Sequence, residues 1–240
     1  MTRVQKVSEH VYWLPPGPPD RPSLAAVVGD RRTVMLDAGS SAEHTRLFLD
    51  GLATEAVGPP GMVVLTHSHW DHVFGAAELA VPVIAHALTA DALIEAAATD
   101  WSDEALDQRV TAGEASPEHA ANVREELPSP RTVRIAPADI VFHDGLDFDL
   151  GEVAVLVRHV GGDHAADSSV VYVEQDRLLF LGDCLYEAPS GGYTAERLAR
   201  LTEAVLAFDA ELYVEGHSET VLSRAEIDEI LGEASRTAAR

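Results

Sequence analysis

The stretch VVLTHSHWDHVFG, residues 63–75, decides how the rest of the chain is read. Three histidines (His67, His69 and His72) and one acid (Asp71) fall within six positions, directly after an apolar run. In a strand, side chains two apart share a face. His67 and His69 therefore point the same way as a strand over 62–66 runs out. Asp71 and His72 break that alternation, so the chain must turn there, and the turn gathers four ligand-type side chains around one small volume. Imidazoles with a carboxylate suit zinc, iron or manganese rather than calcium, which prefers all-oxygen sites. Asp71 alone would read as the N-cap of a following helix. A single histidine would read as a polar strand end. Three histidines and an acid together read as a metal site.

The bulk composition bounds what such a site can serve. The chain has 240 residues, 46% of them hydrophobic, enough for a sizeable core. We expect a single domain over residues 1–240. Against 17 basic side chains stand 40 acidic ones, a formal net charge of -23, with no basic cluster along the chain. That balance repels nucleic-acid phosphates and anionic membranes and leaves a small molecule as the expected partner. One cysteine, Cys184, allows no intrachain disulfide and suits a reducing compartment. The opening MTRVQKVSEHVYWLPPG lacks the apolar core of a signal peptide. No apolar run approaches the roughly 20 residues of a membrane span. The expectation is a soluble, cytoplasmic protein; its oligomeric state is not legible.

Working outward, residues 4–14 and 24–37 read as strands joined by the proline-rich PPGPPDRP. TVMLDAG (33–39) is an apolar strand ending in an acid and a glycine. A helix is predicted from 42 to about 57, a short one over VFGAAELA, and a strand at 81–85. Residues 88–126 change character, with alanines, acids and apolar positions such as Leu88, Leu93, Leu106 and Val110 at helical spacing. Two or three helices are predicted there, with Pro117 and Pro128 as breakers. Strand patterns resume at 131–142, 152–160, 169–174 and 177–182. A helix over 194–208 leads to a last strand in ELYVEGH, and Ser223 with Glu226 forms a capping-box pattern at the start of a terminal helix. The order suggests central sheets with helices outside.

HSHWDH matches the H-x-H-x-D-H signature of the metallo-β-lactamase-fold hydrolases. Later stretches resemble that family's further motifs in order. VGGDHAADSSVVYV (160–173) resembles its glycine-histidine loop, RLLFLGDCLY (177–186) its strand ending in a bridging acid, and LYVEGHSE (212–219) its last histidine strand. TVMLDAG resembles its buried strand carrying Asp37. The resemblance spans residue 4 to about 220. It implies a four-layer αββα sandwich, an α/β fold, with 88–126 as a helical insertion near the active-site side. It implies two divalent metal ions, zinc first and iron or manganese after it. One would be held by His67, His69 and His164 and the other by Asp71, His72 and His217, with Asp183 bridging them. The residues agree in one respect: each proposed ligand follows an apolar strand, and strand ends on one edge can converge.

His159 is an alternative to His164, which is preferred because it follows the glycine turn. His159 and Asp163 read otherwise as ordinary loop residues. Cys184 reads as structural and Asp37 as a packing or hydrogen-bonding neighbour of the ligands. Tyr186 and Tyr193 follow Asp183, where lactonases of this fold often place a tyrosine, and each reads first as an ordinary loop residue. Trp70 and Trp101 can line a pocket, although Trp101 reads first as helix packing. His86, His119 and His143 read as structural or surface residues.

The resemblance implies hydrolysis by a metal-bridging hydroxide, with Asp71 or Asp183 as the catalytic carboxylate that orients it and shuttles the proton. The short tail after His217, the missing export signal and the acidic surface point away from glutathione-thioester hydrolases, periplasmic β-lactamases and nucleases. A small lactone, ester or thioester is left as the expected substrate. Two alternatives stand beside it: an iron-dependent oxidoreductase of the same fold, and a metal-binding protein without catalysis.

Overall fold

The computed structural model describes residues 3–239. Its first sheet has seven strands in chain order: β1 (Gln5–Lys6), β2 (Val11–Leu14), β3 (Leu24–Val28), β4 (Thr33–Leu36), β5 (Met62–Val64), β6 (Val83–His86) and β7 (Ile140–Phe142). The first four strands pair antiparallel, whereas β4 to β7 run parallel. The parallel pairings need crossovers, and helix α1 (Ala42–Thr54) supplies the one between β4 and β5. The second sheet contains β8 (Gly145–Asp149), β9 (Ala154–His159), β10 (Ser169–Val173), β11 (Leu178–Gly182), β12 (Leu212–Glu215) and β13 (Leu222–Ser223), ordered from β13 through to β8.

Strand periodicity explains the layering. Leu24 and Ala26 of β3 face one apolar cluster, and Ala25 and Val27 face another. In β11, Leu178 and Phe180 face the second cluster, and Leu179 and Leu181 face a third. Strands buried on both faces must be apolar throughout, and LLFL is. The second cluster lies between the sheets. The first lies under α1 and the helices of the 88–126 region, and the third lies under α6 (Ala195–Leu206) and α7 (Arg224–Ala238). Helix, sheet, sheet, helix is the expected four-layer arrangement.

The region 88–126 forms three helices, α3 (Ala87–Ala98), α4 (Asp103–Ala112) and α5 (Pro117–Glu126), which follow the short α2 (Trp70–Val73). Pro117 does not merely break the pattern; it opens α5 at a position where a missing N–H costs nothing, with Ser116 as N-cap. The α7 capping box forms as the sequence predicts.

Several boundaries differ from expectation. Residues 7–10 interrupt the predicted 4–14 strand. Most of the predicted 131–142 strand is irregular, and only Ile140–Phe142 pairs. Arg131 explains the start of that segment: its guanidinium donates to the Leu127 and Trp101 carbonyls and to Asp103, so side-chain bonds replace a ladder. β8 has no counterpart among the predicted strands, because GLDFD, on a sheet edge, is short and more than half acidic or glycine. Among the described residues no helix is long and apolar enough to cross a membrane.

Phe180 is fully buried between the sheets. Phe180→Ala is expected to cost about 3–5 kcal/mol, read as a lowered urea midpoint with an unchanged slope.

Candidate metal centre

β5 ends at Val64 and the chain leaves the sheet through Thr66, so His67 is aimed across the sheet edge and is fully buried. His69 then stands as N-cap of α2, and Asp71 and His72 lie inside that helix. Asp71 therefore does not cap the helix, and its carboxylate is free to face the other donors. From the second sheet come His164, beyond β9, Asp183, immediately after β11, and His217, two residues after β12.

Two donor groups result: His67, His69, His164 and Asp183, and Asp71, His72, Asp183 and His217, with the donor atoms of each within 4.8 Å of one another. Asp183 belongs to both. Its Oδ2 lies 3.3 Å from His72 Nε2, 3.3 Å from His164 Nε2, 3.4 Å from His217 Nε2 and 3.8 Å from His67 Nε2. Asp71 Oδ2 stands 3.2 Å from His217 Nε2 and 3.4 Å from His72 Nε2. His69 Nδ1 and His164 Nε2 approach to 3.0 Å. The floor of the centre is buried, whereas His69, His164 and His217 are partly exposed, so one side faces solvent.

Local devices hold this geometry. The β11–β12 register shifts between Phe180 and Gly182, a bulge that re-aims Asp183. Gly182 has φ +52°, and a Cβ there would meet Thr66 Oγ1 at 2.6 Å. At Gly216 a Cβ would collide with Asp183 Oδ1, so only glycine leaves room for the carboxylate. Asp37, itself at φ +57°, accepts hydrogen bonds from Thr66 N (2.7 Å), Thr66 Oγ1 (2.9 Å) and His72 Nδ1 (2.7 Å). His72 thus presents Nε2 to the centre. Thr66 Oγ1, having donated to Asp37, accepts from His67 Nδ1 at 3.1 Å and turns His67 Nε2 inward.

A cation would answer what the donors leave unmatched. His67 Nε2, His72 Nε2 and Asp183 Oδ1 are buried without hydrogen-bond partners. Buried polar atoms are rarely orphaned unless something else satisfies them. The charges agree. Burial pulls His217 down, but hydrogen bonds to Asp183 and Asp71 win and raise it to about 10. His72 is also raised, because Asp183, Asp71 and Asp37 outweigh its burial. In the first group burial prevails: His69 is lowered to about 4, and His67 falls well below its ordinary range. Protons on His72 and His217 thus do for the paired carboxylates what a cation would do. The donor set, nitrogen and carboxylate without sulfur, fits divalent zinc, iron or manganese.

The family model described as the Metallo-beta-lactamase superfamily matches residues 18–224. The chain belongs to that superfamily. Solved structures of metallo-beta-lactamases share its architecture. The metallo-beta-lactamase from Pontibacter korlensis is 20% identical, with 100% of each chain covered and a TM-score of 0.69. The DIM-1 metallo-beta-lactamase is 16% identical over 99% of this chain and 97% of that one, at a TM-score of 0.67. The sec-alkylsulfatase Pisa1 from Pseudomonas sp. is 17% identical, and this chain spans 42% of it at a TM-score of 0.70. At these identities the likeness is one of fold. No curated protein matches the chain.

The superfamily fold brings together all seven side chains expected from the sequence, His67, His69, Asp71, His72, His164, Asp183 and His217. His159 lies elsewhere, stacked on His86 at 3.8 Å between ring centroids and bonded from Nε2 to the Ala166 carbonyl. Cys184 is buried in the third apolar cluster, outside both donor groups. Tyr193 donates to the Leu185 carbonyl, whereas Tyr186 Oη accepts from His217 N at 3.1 Å and stands beside the centre. Trp70 is buried, and Trp101 packs on Phe74 and under Arg109, so both tryptophans are packing residues. Two residues at the centre carry no motif signal in the sequence: Asp20, whose Oδ1 lies 3.8 Å from His217 Nδ1, and Gly216, where only a glycine clears the Asp183 carboxylate.

Asp37→Asn keeps a side chain tolerant of positive φ but loses the charge behind His72. Metal affinity is expected to fall about 10–100-fold, measured by chelator competition. Because the paired carboxylates raise the affinity of His217 and His72 for protons, a cation must compete with protons there. Binding near neutral pH should therefore release protons and weaken as pH falls, which calorimetry in buffers of different ionisation enthalpy would detect.

Proposed function

We propose that this chain is a metal-dependent hydrolase of small carbonyl substrates: a lactone, ester or thioester. The observation that carries the reading is the pair of donor groups joined by one buried carboxylate, Asp183, and open to solvent on one side. A purely structural metal site is closed by its protein ligands; a catalytic one keeps an open position.

In this reading His67, His69 and His164 hold one ion, Asp71, His72 and His217 hold the other, and Asp183 serves both. Zinc is the expected metal. Bound divalent cations supply Lewis acidity, acidifying water and polarising a substrate oxygen. The chain's own side chains do the rest. In this reading Asp71 or Asp183 orients the attacking water, takes its proton and passes it to the leaving oxygen or sulfur. Tyr186, whose hydroxyl burial pushes well above its ordinary range, stays protonated and can donate to the substrate carbonyl. No serine or cysteine nucleophile is required.

We read the chain as one domain, with the three-helix segment shaping access to the centre. Its acidic surface favours a small-molecule partner over nucleic acid or an anionic membrane. The single buried cysteine leaves no disulfide to maintain, and we read the setting as cytoplasmic.

Metal quantitation joined to a panel of lactones, esters, thioesters and phosphodiesters tests the function. Two zinc-type ions per chain with lactone, ester or thioester turnover is the expected result. One iron per chain with oxygen uptake would replace the reading with an oxidoreductase. Asp183→Ala should lose the second ion and at least about 100-fold in kcat/KM while keeping the fold by circular dichroism; full turnover by that variant would sink the shared-carboxylate assignment.

A further inference from the structure

Metal-binding imidazoles are usually oriented by an acceptor on the ring nitrogen that faces away from the ion. Three such acceptors are already plain here. His72 Nδ1 has Asp37 at 2.7 Å, His67 Nδ1 has Thr66 Oγ1 at 3.1 Å, and His164 Nδ1 has the Glu187 carbonyl at 3.3 Å. Among the described residues neither His69 nor His217 has a hydrogen-bonded acceptor of that kind. Opposite His217 Nδ1, at 3.8 Å, stands Asp20 Oδ1 on the loop between β2 and β3.

That loop is tied down at two places around Asp20. On one side Ser23 N donates to the Gly216 carbonyl at 2.6 Å and Ser23 Oγ to the Glu215 carbonyl at 2.8 Å. These bonds stitch the loop to the strand end that carries His217. On the other side Arg21 Nε donates to both oxygens of Glu126, at 3.0 and 2.8 Å, and Arg21 Nη2 reaches Glu43 at 3.1 Å. Glu126 is the last residue of α5, its side chain is 1% exposed, and it also accepts from Ser41 Oγ. Within the loop, Gly17 and Arg21 exchange backbone hydrogen bonds of 2.9 and 2.8 Å. Asn122 of α5 faces the Asp20 carboxylate.

We propose that Asp20 is a positioning residue for His217, and that the helical segment holds it there through the Glu126–Arg21 fork. The proposal rests on the reading of His217 as a metal ligand. It gives the helices of residues 88–126 a task besides covering the centre: they set how firmly the Asp71–His72–His217 position holds its ion. Among the described residues the first position, His67–His69–His164, makes no hydrogen bond or ion pair with this latch and should be indifferent to it.

The test is titration of the metal-free protein with Zn²⁺ against a chromophoric chelator, resolving two equivalents. Asp20→Ala should weaken the second equivalent about 10–100-fold and leave the first unchanged, with Asp20→Asn intermediate because it keeps a polar oxygen facing Nδ1 but loses the charge. Glu126→Gln, close in shape but without the charge, should weaken the same equivalent. Thermal unfolding of the metal-free variants identifies any that fail to fold; Asp20 is partly exposed, so Asp20→Ala and Asp20→Asn should match the parent. His217→Ala is the control. If it keeps both equivalents, the ligand reading itself has failed. If it loses one while Asp20→Ala binds both as tightly as the parent, the positioning role is overturned and the ligand reading stands. If Asp20→Ala weakens the second equivalent but Glu126→Gln does not, the latch is overturned and the Asp20–His217 relation is retained.

Discussion

A carboxylate, Asp183, is buried to 4% exposure where the edges of two sheets meet, and the architecture is arranged around keeping it ionised there. An isolated buried charge costs several kcal/mol, so it must be matched on every side. Part of the match comes from imidazoles of both sheets, His72 from the first and His164 and His217 from the second, while Asp183 Oδ1 is left for a cation to answer. The neighbouring backbone is constrained in turn. The β11–β12 register shift aims the side chain, and Gly182 and Gly216 are glycines because a Cβ at either would strike Thr66 or Asp183 itself.

Legibility in the sequence followed the range of the interactions. The alternation that buries LAAVV and LLFL on both faces is local, and it was readable as strands. The H-x-H-x-D-H segment is local too, so its four donors could be read from 63–75 alone. His164, Asp183 and His217 each follow an apolar run, but their convergence depends on strands scattered between residues 154 and 215; only the resemblance joins them in the sequence. The 131–138 segment carries a strand-like composition, yet Arg131 binds its neighbours' carbonyls and no partner strand arrives. Asp20 was invisible for a different reason. Its only relation to the centre is a distance across space, and nothing in PPGPPDRP encodes that.

The helices of 88–126 illustrate how an insertion becomes part of a site. Leu93, Leu106, Ala120 and Val123 join the outer apolar cluster, which gives the segment its own reason to fold against the first sheet. Polar groups then reach from it to functional parts of the chain: Thr89 donates to Asp167 at 2.9 Å, close to the His164 loop, and Glu126 takes the fork of Arg21. The apolar face fixes where the helices lie, and a few side chains translate that placement into the geometry of the loops on either side of the centre.

The donor side chains come from both sheets, which at this edge are otherwise joined by bonds such as Ser169 N to the Thr66 carbonyl at 2.8 Å. An ion held between them is therefore a cross-link that closes a long chain loop without a covalent bond. The native state gains whatever the ion gains, about 2.7 kcal/mol when free metal exceeds its dissociation constant a hundredfold, and the unfolded chain gains nothing comparable. Stability and competence for chemistry would then be drawn from one reservoir. A cell short of the metal would lose folded chains as well as loaded ones, and its supply of the ion would regulate how long each molecule lasts.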